Sequence, residues 1–140
     1  MIEILIVFMI NRKLIGARYF YEGYKASRNV SKNASFNSAR DYEGHGTHTL
    51  STAAGNFVDG VSVFGNGNGT ASGASPKARV ASYKVCWGDS ICNDADILAA
   101  FEAAITDGVD VISLSLAGES PYKEYFNNTI SIGTMHLSMA

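Results

Sequence analysis

The chain has 140 residues, a mass of 14.9 kDa and a formal net charge of −2, and 46% of its residues are hydrophobic. This length accommodates one domain at most, and the apolar content is high enough to argue against a disordered chain. The nearly balanced charge gives no electrostatic reason to expect binding to nucleic acid or to an anionic membrane.

The first ten residues, MIEILIVFMI, are apolar apart from Glu3. Ten residues cannot span a bilayer, which needs about 20, and no basic segment precedes the apolar run as it would in a signal peptide. We therefore expect either a buried strand or a start foreign to the domain. Residues 25–43 are polar and predict a surface loop.

A helix is predicted from Gly44 onwards. It ends in the small residues STAA before Gly55, and small side chains allow a helix to pack closely against a sheet. The next segment, DGVSVFGNGNGTASGASPKA (residues 59–78), is rich in glycine and predicts a long loop with several turns.

A βαβ unit is predicted in the second half of the chain. ARVASYKVCW (residues 78–87) is typical of a strand, and NDADILAAFEAAITDG (93–108) has apolar residues at helical spacing. Asn93 or Asp94 is suited to cap this helix, and Gly108 to end it. VDVISLSL (109–116) is nearly continuously apolar, as in a central parallel strand, and a further helix is expected within residues 125–140. The fold class is therefore α/β with a parallel sheet.

Two of the three histidines lie in DYEGHGTHTLSTAAG, at His45 and His48. A metal pair is one interpretation, but a third ligand and the glutamate of H-E-x-x-H are missing, and His136 has no related spacing. A dinucleotide loop is disfavoured because GNGNGTASG does not contain G-x-G-x-x-G. An ordinary helix start is a further interpretation.

Catalysis is favoured by Gly44 and Gly46, which leave the backbone beside His45 bare for a substrate and a nucleophile. The positive end of a helix dipole disfavours the imidazolium form of a histidine placed there. Such a base needs a buried carboxylate to hold its tautomer, so the motif implies a partner acid.

GHGTHTLSTAAG is similar to the histidine motif of the subtilisin-like serine endopeptidases, peptidase family S8, and most similar to the cucumisin-like subtilases of plants. The resemblance continues in order through NRKLIGARYF, VFGNGNGTASGASPKARVASYKVCW, DADILAAFEAAITDGVDVISLSL and YFNNTISIGTMHLSMA. It covers residues 11–140 and leaves residues 1–10 unlike the family. It implies part of a three-layer αβα sandwich with a mostly parallel sheet.

By this resemblance His45 is the general base and His48 is a structural histidine. The family's cleft-edge strand, which pairs with the substrate backbone, corresponds to Ser113, Leu114, Ser115, Leu116, Ala117 and Gly118. The family has a glycine where this chain has Ala117, so an added methyl group lies at that edge. Cys86 and Cys92 allow either a disulfide or two buried thiols by their spacing, and the resemblance favours the disulfide.

The remaining catalytic motifs of the family are absent from the 140 residues. No acidic residue before His45 stands in D-T/S-G, and Asp41 and Glu43 are too near in sequence to reach behind the ring. G-T-S-M and A-G-N-S-G-P are also missing, and Ser138 in HLSMA lacks the preceding Gly-Thr. We therefore expect the isolated chain to be inactive, and poorly soluble or partly folded because sheet edges would be exposed.

Two hypotheses follow. In the first, the chain is the histidine-bearing part of a secreted subtilisin-like endopeptidase that acts on polypeptides, without cofactor or metal. In the second, it is a non-catalytic protein that retains a peptide cleft and binds peptides or regulates proteases. The family implies an extracellular location, in the apoplast or cell wall, and the sequence makes no prediction of oligomeric state. Secretion is weakly supported by four glycosylation sequons, at Asn29, Asn33, Asn68 and Asn127.

Overall fold

The computed structural model describes residues 7–8, 13–28, 37–88, 91–116 and 124–138. The strands are β1 (Val7–Phe8), β2 (Leu14–Tyr19), β3 (Val58–Val63), β4 (Asn66–Ala71), β5 (Ala78–Lys84), β6 (Cys86–Trp87) and β7 (Ile91–Cys92). The helices are α1 (Glu22–Arg28), α2 (His45–Ala54), α3 (Asp94–Thr106) and α4 (Thr129–Leu137), with a 3₁₀ turn at Tyr125–Asn127. None of the helices in these ranges is long and apolar enough to cross a membrane.

Strand β5 is the middle strand of a three-stranded sheet with the order β1–β5–β2. It runs parallel to β2 and antiparallel to β1. Because side chains of a strand alternate between the two faces, Ala78 and Val80 pack with Ala54 of α2, whereas Tyr83 and Val85 pack with residues of α3. Helices therefore cover both faces of β5, and the α/β class with three layers is confirmed.

The C-terminal end of α2 is tied to the residues that precede β5. The backbone N–H groups of Ala74 and Ser75 donate to Thr52 and Ala53 at 3.0 and 2.9 Å, and Gly73 donates to Gly55 at 3.0 Å. These bonds satisfy carbonyls that a helix end leaves without an intrahelical partner. A Cβ atom on Gly73 would lie 2.7 Å from the nitrogen of Ala54, so this close approach requires glycine.

The prediction of a long loop over residues 59–78 is wrong. Strands β3 and β4 form an antiparallel hairpin in which Val58 faces Ala71 and Val63 faces Asn66. The turn between them has positive φ at Phe64 (48°) and Gly65 (82°), which matches the twist of a tight hairpin. The glycines suggested a loop, but the two strands satisfy each other's backbone groups while every residue of both is exposed.

The predicted helix over residues 93–108 is confirmed as α3. The Asn93 side chain accepts a hydrogen bond from the Ala95 N–H at 3.0 Å, and the helix ends at Thr106, just before Gly108 with φ of 71°. The predicted C-terminal helix is divided into a 3₁₀ turn and α4, because Asn128 caps α4 by accepting from the N–H groups of Ile130 and Ser131.

The predicted strand over residues 109–116 is wrong, and so is the βαβ unit that it would complete. Residues 111–116 carry no strand assignment. A strand forms only where a neighbouring strand pairs with it, and the strands paired with β5 are β1 and β2. Leu114 and Leu116 pack instead against the core cluster beneath α3. The predicted loop over residues 25–43 is wrong at its start, since α1 extends to Arg28.

Candidate active site

The first turn of α2 is organised by the carboxylate of Asp41. Gly44 occupies the N-cap position in a left-handed conformation (φ 96°) and has no side chain to accept the first N–H groups. Asp41 accepts instead from the Thr47 N–H of the first turn at 2.8 Å on one oxygen, and from the preceding N–H groups of Glu43 at 3.0 Å and Gly44 at 2.8 Å on the other. The Thr47 hydroxyl adds a fourth bond of 2.6 Å. This is the capping role that Asp often has at a helix start.

These bonds determine the protonation state of Asp41. Partial burial by itself would raise its pKa, but the hydrogen bonds from the Thr47 hydroxyl and from the three backbone N–H groups lower the pKa to about 2. Hydrogen bonds to the ionised form favour that form. Asp41 is therefore a carboxylate at neutral pH, close to the positive end of the helix dipole.

His45 is the first residue of α2, and its side chain is exposed, whereas Gly46 beside it is buried. His48 lies one turn further along the helix and is also exposed. The third histidine, His136, is on α4, where its Nδ1 lies 3.2 Å from the Glu102 carboxylate. In the ranges that the structure describes, no group of three His, Cys, Asp or Glu side chains is arranged to hold a metal ion.

Lys84 joins the segment before α2 to the sheet. It ends β5 and is 3% exposed, and its Nζ donates to the carbonyl oxygen of Arg40 at 2.8 Å. The same Nζ lies 4.2 Å from the ring centroid of Trp87 and 5.0 Å from that of Tyr42. Burial lowers the pKa of Lys84, and the nearby charge of Asp41 acts in the opposite direction.

The other site residues predicted from the sequence lie elsewhere. Ser113 to Leu116 form an unpaired segment in which Ser115 is exposed and the other three are half-buried, and Ala117 and Gly118 lie outside the described residues. Ile112 and Leu114 line a cavity of about 440 Å³ with residues of α3 and α4, and His45 is not part of its wall. Ser138 donates its hydroxyl to the Met135 carbonyl just after α4.

Cys86 and Cys92 are joined by a disulfide in the structure, between the paired strands β6 and β7. Among the sequon asparagines, Asn68 on β4 and Asn127 in the 3₁₀ turn are exposed. Asn29 and Asn33 lie outside the described residues.

Sequence reasoning did not find the roles of Asp41 and Lys84. A signal for Asp41 was available, because an acidic residue shortly before a predicted helix start is a capping candidate. Lys84 had a weaker signal, a single cation within the run VASYKVCW. A charge that is buried inside a strand needs a partner, but the sequence does not show which segment provides one.

The histidine-bearing helix packed on a parallel strand pair defines an α/β protein. A family model described as the subtilase family matches residues 8–138, and the chain belongs to this family. It is 62% identical over 129 residues to subtilisin-like protease SBT5.4 of Arabidopsis thaliana and 48% identical over 130 residues to subtilisin-like serine-protease S of Lotus japonicus. Both matches cover 90% of this chain, which spans only 16% and 17% of these relatives.

Proposed function

We propose that this chain is the histidine-bearing part of a subtilisin-like serine endopeptidase and that His45 is its general base. The observation that supports the proposal is the exposed side chain of His45 at the first position of α2, beside the exposed backbone of Gly44. The turn beneath it is held by four hydrogen bonds to Asp41. An exposed ring on a fixed turn suits a base that must meet both a nucleophile and a substrate.

In this chemistry the histidine takes a proton from a serine hydroxyl and later gives it to the leaving amine. A carboxylate must hold the other ring nitrogen, and Asp41 is not suited to this role because its oxygens already accept bonds from the α2 turn. The motifs D-T/S-G and G-T-S-M, which would supply the acid and the serine, do not occur in the 140 residues. We therefore expect no peptide hydrolysis by the 140-residue polypeptide alone.

The substrates proposed are polypeptides, bound in extended form along residues 113–118. The partial exposure of Ser113 to Leu116 and their lack of a described strand partner are compatible with pairing to a substrate backbone. Leu114 and Leu116 anchor the segment to the core, which would leave Ser115 free to face the substrate.

We also propose that the protein is secreted to the apoplast or cell wall. The Cys86–Cys92 disulfide would persist in an oxidising compartment. The exposed side chains of Asn68 and Asn127 are accessible for glycosylation, as a sequon requires.

A chimera tests the proposed role of His45. Residues 11–138 replace the aligned segment of SBT5.4, so that the acid and the serine come from the relative. We expect the chimera to hydrolyse peptides and to react with a fluorophosphonate, because the two segments are 62% identical. His45→Ala is expected to lower turnover by about 10⁶, the loss caused by removing the histidine of subtilisin itself.

His136→Ala is the matched control, since His136 lies on α4 and is expected to leave hydrolysis unchanged. A folded chimera without activity, or a His45→Ala chimera as active as its parent, would contradict the proposal. Capture of extended peptides by such an inactive chimera would instead favour the non-catalytic peptide-binding protein.

A further inference from the structure

Lys84 is a buried cation whose neighbours include residues directly before the candidate active helix. Its Nζ donates to Arg40 and faces the rings of Tyr42 and Trp87. An ammonium group is costly to bury without such compensation, and aromatic faces attract a cation within about 6 Å. Since Lys84 itself is fixed by β5, these contacts fasten residues 40–42 to the sheet.

The same segment carries Asp41, which holds the first turn of α2. The apolar contacts of α2 with β5 involve Leu50, Ala53 and Ala54, all in the C-terminal half of the helix. The N-terminal half, with His45, is connected to the sheet through Asp41 and the neighbouring contacts of Lys84. The contacts of Lys84 with Arg40 and of Asp41 with Thr47, joined by the peptide bond between Arg40 and Asp41, therefore lead from β5 to the turn that presents His45.

We propose that Lys84 is a positioning residue for His45, which it orients by holding residues 40–42 and, through Asp41, the first turn of α2. This inference rests on the proposed function, in which His45 is the general base. Its importance follows from geometry, because a displacement of about 1 Å in a catalytic group costs on the order of 100-fold in rate.

Hydrogen exchange of the folded chimera, which contains residues 11–138 of this chain, tests the link directly when it is followed by mass spectrometry at micromolar concentration. In Lys84→Met, the amides of Glu43, Gly44 and Thr47 are expected to exchange roughly tenfold faster, because the anchored segment opens locally. Peptides from α4 serve as the internal reference. Lys84→Arg keeps a cation that stacks on aromatic rings and donates hydrogen bonds, so it is expected to restore exchange close to that of the parent.

Lys13 provides a matched control at the other end of β5. Its Nζ donates to the carbonyl oxygens of Pro76 and Ala78, at 2.5 and 2.7 Å. Lys13→Met therefore also removes a lysine that bonds backbone carbonyls, and it is expected to leave the exchange of residues 43–47 unchanged. The proposal is overturned if Lys84→Met leaves these amides as protected as in the parent, or if Lys13→Met releases them equally.

Two further measurements keep the test decisive. If Lys84→Met does not fold, Tyr42→Ala is measured instead, because it removes an aromatic ring that faces the Lys84 ammonium and lies at an exposed residue. The proposal is overturned if the amides of residues 43–47 exchange no faster in Tyr42→Ala than in Tyr42→Phe. In an active chimera, Lys84→Met is expected to lower kcat at least tenfold with little change in KM, and Lys84→Arg to recover most of it. An inactive parent chimera would refute the role of His45, whereas the exchange result judges Lys84 independently of hydrolysis.

Discussion

Asp41 is the residue on which the geometry of the candidate site most depends. The glycine at the N-cap of α2 leaves open space next to His45, but it cannot accept a hydrogen bond with a side chain. Asp41, three residues earlier, accepts those bonds without occupying the space. The two requirements on the turn, access and rigidity, are therefore met by different residues.

We expect Asp41→Asn to lower the free energy of unfolding by about 1 kcal/mol at neutral pH, because the amide keeps one acceptor oxygen where the carboxylate uses two. The folded-state pKa of about 2 lies below the ordinary 3.8, so the stabilisation is present above about pH 4 and is lost as pH falls through 2. Urea unfolding of parent and variant between pH 2 and pH 7 should show the difference shrinking in acid.

Asp59→Asn is the control for this prediction, because Asp59 accepts a bond from the Thr70 hydroxyl in the exposed hairpin and caps no helix. It is expected to change the unfolding free energy by less than about 0.5 kcal/mol. A difference between parent and Asp41→Asn that stays the same at pH 2 and pH 7 would argue against an ionised cap.

At the scale of elements, the sequence predicts the helix boundaries, because these are determined by residues next to them in the chain. Helix α3 could be delimited because Asn93 and Gly108 act on adjacent backbone, and α2 because the glycine before His45 marks its start. Strand partners are determined by distant residues, so the parallel pairing of β2 with β5 and the missing pairing of residues 111–116 could not be read from either segment. His45 is predicted from its motif, whereas the contacts of Lys84 depend on burial between two distant segments.

The contact between α3 and α4 depends on Gly133. A Cβ atom there would lie 2.7 Å from Cγ of the Phe101 ring, which is itself buried in the core. Gly133→Ala is therefore expected to lower the free energy of unfolding by about 1–3 kcal/mol, the usual cost of overpacking. Chemical denaturation monitored by far-ultraviolet circular dichroism measures the change.

Gly69→Ala is the matched substitution, because a Cβ atom on Gly69 meets nothing within 4 Å. It is expected to leave the unfolding midpoint nearly unchanged. Equal effects of the two variants would show that α4 does not rest on Phe101 as described.

At the scale of the whole molecule, the sheet is incomplete at one edge. Strand β1 pairs with β5 only at Arg79 and Ala78, so the rest of that edge of β5 has no partner strand among the described residues. Large apolar side chains are exposed as well, among them Phe57, Tyr125 and Phe126. Unpaired edges and exposed apolar surface both favour association.

We therefore expect the 140-residue polypeptide to associate as its concentration rises, and to unfold with weak cooperativity on heating. Sedimentation velocity over a range of concentrations, combined with calorimetry, measures both properties. A monomer at all concentrations with one sharp thermal transition would contradict this expectation. We expect incorporation into the chimera to suppress the association.

The hairpin of β3 and β4 is joined to the rest of the fold through a short contact between two glycines. Residues 56–72, which contain the hairpin, lie between Gly55 and Gly73, and the Gly73 N–H donates to the Gly55 carbonyl at 3.0 Å. The neighbouring bonds from Ala74 and Ser75 connect the end of α2 to the residues before β5, and they do not involve the hairpin. Because β3 and β4 are exposed and lie outside these bonds, we expect insertions or deletions in the hairpin to leave His45 in its position.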